Sequence, residues 1–117
     1  MTWTSVCLLR DLVPDRGVTA LAGDAAVAVF RLTGDGVYAI AACDPFCGAN
    51  VLGRGLVGSA GDACYVASPM YKQRFDLATG ACLDDPAIRV PVYPVRVTNG
   101  IVQVCAPDAA PDAAPDR

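Results

Sequence analysis

The side chains of this sequence with the most chemical potential are six thiols and the polar and aromatic groups of two short loops. The loops read Asp44-Pro45-Phe46-Cys47-Gly48-Ala49 and Ser68-Pro69-Met70-Tyr71-Lys72-Gln73. The thiols are Cys7, Cys43, Cys47, Cys64, Cys82 and Cys105, and histidine does not occur. Cys43, Cys47, Cys64 and Cys82 can be imagined as a four-thiolate centre, but their spacing matches neither the zinc nor the ferredoxin pattern. The competing reading is a set of small, reduced, buried thiols. Without histidine the chain lacks the commonest metal ligand and the commonest general base near neutral pH. A nucleophile needs its base within hydrogen-bond reach, and no Ser or Cys here stands in a recognisable motif of that kind. Catalysis by this chain alone is not expected.

The elements that must position the loops read as strands. Segments rich in β-branched and aromatic residues recur at 2–6, 18–22, 26–32, 37–42, 64–67, 74–77, 92–97 and 101–105. Turn signals separate them at Gly23-Asp24, Thr33-Gly34-Asp35-Gly36, Ala78-Thr79-Gly80 and Asn99-Gly100, the last being the strongest hairpin cue. Consecutive strands are therefore expected to be antiparallel neighbours. Residues 8–13, closed by Pro14, are long enough for one helical turn, and Asp84-Asp85-Pro86-Ala87 reads as a surface connection. The stretch 43–61 carries Gly48, Gly53, Gly55, Gly58 and Gly61 with few charges, as a close-packed loop requires, and is the expected functional region.

With 117 residues the chain has the size of one domain. Nine Lys and Arg stand against twelve Asp and Glu, a formal charge of −3, and no basic run offers a footprint for nucleic acid. The apolar fraction of 54% is high for a soluble domain and makes a protein partner plausible. No basic region precedes the short apolar run Val6-Cys7-Leu8-Leu9, and no apolar run approaches the ~18 residues of a membrane span. A cytoplasmic protein with reduced thiols and no membrane contact is expected. From Ala106 onward the sequence repeats Ala-Pro-Asp units without apolar anchors. Residues 106–117 are thus expected to be a disordered tail on a domain spanning 1–105.

The punctuation of the two loops resembles that of the Rieske iron–sulfur family, whose loops read Cys-Pro-His-x-Gly-Ala and Cys-Pro-x-His-Gly-x-x-Phe-Asp, followed by a Thr-Gly turn. Pro45, Gly48, Ala49, Pro69, Phe75, Asp76, Thr79, Gly80, Pro86 and Gly100 fall where that pattern places them. The resemblance implies an all-β fold of antiparallel sheets, a sandwich or partial barrel, with residues 43–80 as the smaller cluster-type lobe. It also puts Asp44 and Ser68 at the two thiolate positions and Phe46 and Tyr71 at the two imidazole positions. A Rieske centre needs two thiolates on one iron and two imidazoles on the other. A chain without histidine cannot supply the second pair. The disulfide that braces the loops in some Rieske proteins is missing too, its positions being Ala49 and Met70.

Departures of this kind resemble one branch of the family, the small subunits of assimilatory NAD(P)H-dependent nitrite reductases. The matching runs are residues 44–52 with Arg54-Gly55, then 67–73, then Val90-Pro91-Val92-Tyr93-Pro94-Val95. That resemblance implies a cluster-free domain with no cofactor of its own. Its implied partner is a large subunit carrying FAD, a [4Fe–4S] cluster and siroheme, which reduces nitrite to ammonium. Phe46, Met70, Tyr71 and Lys72 are the candidate partner contacts, and mere filling of the space left by a cluster is the rival role for Asp44, Phe46, Ser68 and Tyr71, for which Phe46 and Tyr71 are well sized. Two other readings remain open: an independent ferredoxin-like electron carrier on an unrecognised thiolate cluster, and an adaptor of another oxidoreductase.

Overall fold

The computed structural model of the chain describes residues 2–34 and 36–106. Its strands are β1 (Thr2–Leu8), β2 (Arg16–Ala22), β3 (Ala25–Leu32), β4 (Gly36–Ala41), β5 (Leu56–Ala60), β6 (Ala63–Ala67), β7 (Arg74–Asp76), β8 (Val92–Tyr93), β9 (Val95–Thr98) and β10 (Ile101–Ala106). Short 3-10 turns occupy Leu9–Asp11 and Leu52–Arg54. The strands form three open antiparallel sheets with orders β1-β10-β9, β2-β3-β4-β8 and β5-β6-β7. Among the described residues no helix is long and apolar enough to cross a membrane.

The sheet containing β3 is the middle layer, and the sequence of β3 says why. Successive strand residues face opposite ways, and both faces of β3 are buried. Ala28, Phe30 and Leu32 pack with Ile40, Leu52, Val66, Phe75 and Leu77, while Val27 and Val29 pack with Leu12, Val102 and Val104. A strand covered on both sides must be continuously apolar rather than alternating, as Ala25–Leu32 is apart from Arg31. Each fully buried Val, Leu, Ile or Phe contributes about 1.5–3 kcal/mol. Much of the high apolar fraction is used inside the molecule in this way.

The Asn99-Gly100 cue makes the expected two-residue hairpin between β9 and β10, Thr98 pairing with Ile101. Both turn residues have positive φ, 53° and 78°, as a turn matching the twist of its strands requires. The segment expected as one strand over 92–97 is instead two. Pro94 lacks the N–H that a continuous ladder needs, so the chain changes sheets there, β8 pairing with β4 and β9 with β10. A second departure is β5, which lies inside the stretch expected to be loop. Its composition is weakly β-forming, and pairing with β6 through a turn at Gly61-Asp62 overrides that. Residues 8–13 contain the Leu9–Asp11 turn. β10 runs to Ala106, one residue past the expected boundary, because Ala106 pairs with Thr2 and is buried. The remaining repeat, 107–117, lies outside the described residues.

Candidate functional site

The two loops named by the sequence meet at one end of the molecule. The first follows β4 and closes on itself: the Asp44 amide donates to the Ala49 carbonyl at 2.9 Å, and the Cys47 and Gly48 amides donate to the Asp44 carbonyl at 3.2 and 2.7 Å. The second joins β6 to β7 and closes likewise. The Ser68 amide donates to the Gln73 carbonyl at 2.9 Å, and the Lys72 amide donates to the Ser68 carbonyl at 3.0 Å. Lys72 carries a positive φ of 66° to complete this turn.

Asp44 and Ser68 link the two rings. They are the buried polar side chains of the described residues, 0% and 1% exposed. Asp44 Oδ1 accepts from the Phe46 amide at 2.8 Å, and Oδ2 accepts from the Ser68 hydroxyl. Ser68 Oγ in turn accepts from the Met70 amide at 3.2 Å. A buried carboxylate is tolerated only when its lone pairs are satisfied, and here both oxygens have partners. Phe46 is half-buried, with its ring centroid 6.2 Å from that of Phe75. Met70 and Tyr71 project into solvent at 54% and 58% exposure. Tyr71 is therefore not a filler of the inter-loop space, one of the two roles expected for it, whereas Phe46 packs inward.

These residues do not fit a mixed sulfur-and-nitrogen iron centre. The carboxylate and hydroxyl at the two expected thiolate positions are bonded to each other, the phenyl ring of Phe46 has no lone pair to give, and the phenol of Tyr71 points outward. The imagined four-thiolate set is dispersed, with Cys82 in the core and Cys43 exposed on its loop. Among the described residues no three His, Cys, Asp or Glu side chains come together to hold a metal. On the first sheet, burial and then the nearby Asp11 carboxylate push the Cys7 thiol up, away from the reactive thiolate.

Behind the second loop, Arg74 Nη2 lies 2.8 Å from Asp84 Oδ1, its Nε 3.2 Å from Oδ2, and its backbone amide 2.9 Å from Oδ2. The guanidinium contacts, followed by the backbone contact, hold the Asp84 carboxyl below the usual range, and the same pair raises Arg74. Arg74 is thereby committed to the fold, as is its contact with the Tyr65 ring at 5.5 Å. Lys72 is exposed on the loop. Leu56 was not recognisable from the sequence as a site residue. At 78% exposure it is an exposed apolar side chain beside the tip, because β5 pairs it with Ala67, which precedes Ser68. A lone leucine in a glycine-rich segment gives no signal of that placement. Concavities of about 520 and 420 Å³ lie elsewhere, between the Leu9–Asp11 region and β9 or the Asn99-Gly100 turn, and are not lined by tip-loop residues.

Comparison with known proteins gives a consistent set of relatives. Residues 2–105 match the family model described as a Rieske-like [2Fe-2S] domain. The chain is similar to the nitrite reductase (NADH) small subunit of Escherichia coli K12, 44% identical over 103 residues that cover 87% of this chain and 95% of that one. It is also similar to a segment of the nitrite reductase [NAD(P)H] large subunit of Klebsiella oxytoca, 42% identical over 102 residues, 87% of this chain but 11% of that one. Among solved structures it resembles an NADH-dependent nitrite reductase small subunit from Mycobacterium tuberculosis, with a TM-score of 0.87 and 49% identity, covering 92% of this chain and 97% of that one.

Proposed function

The chain belongs to the Rieske-like [2Fe-2S] domain family, and from that premise we propose that it is a cofactor-free small subunit of an NAD(P)H-dependent nitrite reductase. The observation that carries this reading is a match to a small subunit over 95% of its length, in a chain whose loop tip is closed by an Asp44–Ser68 hydrogen bond. FAD, a [4Fe–4S] cluster and siroheme belong, in this reading, to the large subunit, where nitrite is reduced to ammonium in the cytoplasm. The relative in Klebsiella, in which a similar segment is part of a large-subunit polypeptide, supports the same partner.

The contribution of this chain is then mechanical. Asp44 and Ser68 hold the loops at a fixed separation without metal, and Phe46 anchors the first loop on the core. Met70, Tyr71 and Lys72 form the surface offered to the large subunit. Exposed methionine and tyrosine suit such a role, since both bring large, adaptable contact area and are enriched at interfaces.

Reconstitution tests the reading. The large subunit purified without this chain should reduce nitrite with NAD(P)H slowly or lose activity quickly, and adding the chain should restore it. The isolated chain should be colourless and free of iron. A large subunit that is fully active and stable alone, or a brown chain with stoichiometric iron, would overturn the proposal.

A further inference from the structure

An open sheet has two edges, and an exposed edge is a template for pairing with another strand, which natural proteins blunt with charge, proline, bulges, short length or a covering segment. The three sheets here can be compared edge by edge. In the first sheet, β1 has a register shift between Ser5 and Cys7, and β9 starts after Pro94 and carries Arg96. In the middle sheet, β8 has two residues between Pro91 and Pro94. The Leu52–Arg54 turn packs against β2, so closely that a Cβ on Gly53 would lie 2.5 Å from Thr19 Oγ1 and 3.1 Å from the Val18 carbonyl carbon. In the third sheet, β7 has three residues, two of them charged.

β5 has none of these devices. Leu56-Val57-Gly58-Ser59-Ala60 contains no charge and no proline, keeps regular register with β6, and pairs with β6 alone among the described strands. Its five residues span about 16 Å. At its centre the Tyr65 ring lies over Gly58, where a Cβ would come within 2.7 Å of the ring. Gly58 thus adds no side chain of its own to the middle of the strand, its place on that face being taken by the Tyr65 ring. The strand starts at Leu56, beside the tip loop that bears Met70 and Tyr71.

We infer that β5 is a docking edge at which an extended segment of the large subunit adds a fourth strand to the third sheet, continuous with the contact made by the tip. The inference rests on the partner reading above and specifies its geometry. A few tip side chains fall well short of the roughly 800 Å² per partner of a stable complex, and the adjoining edge supplies both area and directional main-chain bonds. The partner segment is an extended, proline-free stretch without charge on the side that faces β5.

Hydrogen–deuterium exchange on the full chain, alone and with the large subunit, tests this. Those amides of residues 57–60 that exchange freely in the isolated chain should slow at least tenfold in the complex, and Ser59→Lys should raise the Kd at least tenfold while leaving the melting temperature unchanged. A complex with unaltered exchange at 57–60, or one insensitive to Ser59→Lys, overturns the inference and leaves the partner reading standing. Protection already present in the isolated chain and growing with its concentration would mean that a second copy occupies the edge, which also overturns it. Failure to form any complex removes the partner reading and this inference together.

Discussion

Ser68 donates its hydroxyl hydrogen to the carboxylate of Asp44 across 24 positions of sequence, with both side chains buried. The bond ties two loops that have few other polar links. Hydrogen bonds to a charged group are worth about 1.5–3 kcal/mol, and the cost is carried mainly by the partner left unsatisfied. Ser68→Ala should therefore destabilise the fold by about 2–3 kcal/mol, a fall in Tm on the order of 10 °C for a domain of this size. Asp44→Asn, which can still accept from the Phe46 amide and donate to Ser68, should cost less. Thermal melts of the two variants measure this, and a Ser68→Ala protein melting with the wild type would show that the bond carries no stability.

The tip should behave in the opposite way. Met70 and Tyr71 are more than half exposed, and exposed positions away from special backbone usually alter stability by less than about 0.5 kcal/mol. Tyr71→Ala and Met70→Ala should leave the melt unchanged but weaken binding to the large subunit by about tenfold or more, the mark of an aromatic or thioether anchor at an interface. Titration calorimetry on both variants checks the point, and unchanged affinity in the double variant would move the interface off this loop.

Gly53 holds the Leu52–Arg54 turn against β2. An added methyl group would sit 2.5 Å from Thr19 Oγ1 and 3.1–3.2 Å from the backbone of Val18 and Thr19, so the turn would have to lift. Overpacking of this kind costs about 1–3 kcal/mol. Gly53→Ala should lower stability by that amount and speed amide exchange in β2, against which the turn packs. Denaturant titration with exchange mass spectrometry reads both effects, and a variant as stable as the wild type would show that the turn yields freely.

The parts of this architecture readable in the sequence are those where one local rule dominates. The apolar run of β3 and the Asn99-Gly100 turn each announce themselves through side chains that act where they stand. β5 does not, because its strand state comes from pairing with β6 and from Gly58 making room for Tyr65, both relations between segments. The split at Pro94 was signalled by a residue with no amide hydrogen, yet which sheet each half joins depends on tertiary packing. At the tip, the loop punctuation draws Asp44 and Ser68 to notice. Their hydrogen bond, the inward packing of Phe46 and the outward aim of Tyr71 are set by three-dimensional neighbours that no local pattern records.

Acid stability offers a last check, through carboxylates on the surface. The Arg74 guanidinium, and then its backbone amide, hold Asp84 below its ordinary value, and the Thr33 amide and hydroxyl do the same for Asp15. A carboxyl whose folded-state pKa is depressed stabilises the fold fully above its unfolded value, near 3.9, and loses that contribution as the pH falls through the lower folded value. Stability should thus be level around neutrality and decline below about pH 4. Asp84→Asn removes one such group: it should be somewhat less stable than the wild type at pH 7, and the two should converge in acid. Because the pair is exposed, salt should shrink the difference at pH 7. Urea titrations from pH 7 to pH 2.5, at low and high salt, decide it; curves that stay parallel throughout would show that the Arg74–Asp84 contact positions the connection after β7 without stabilising it.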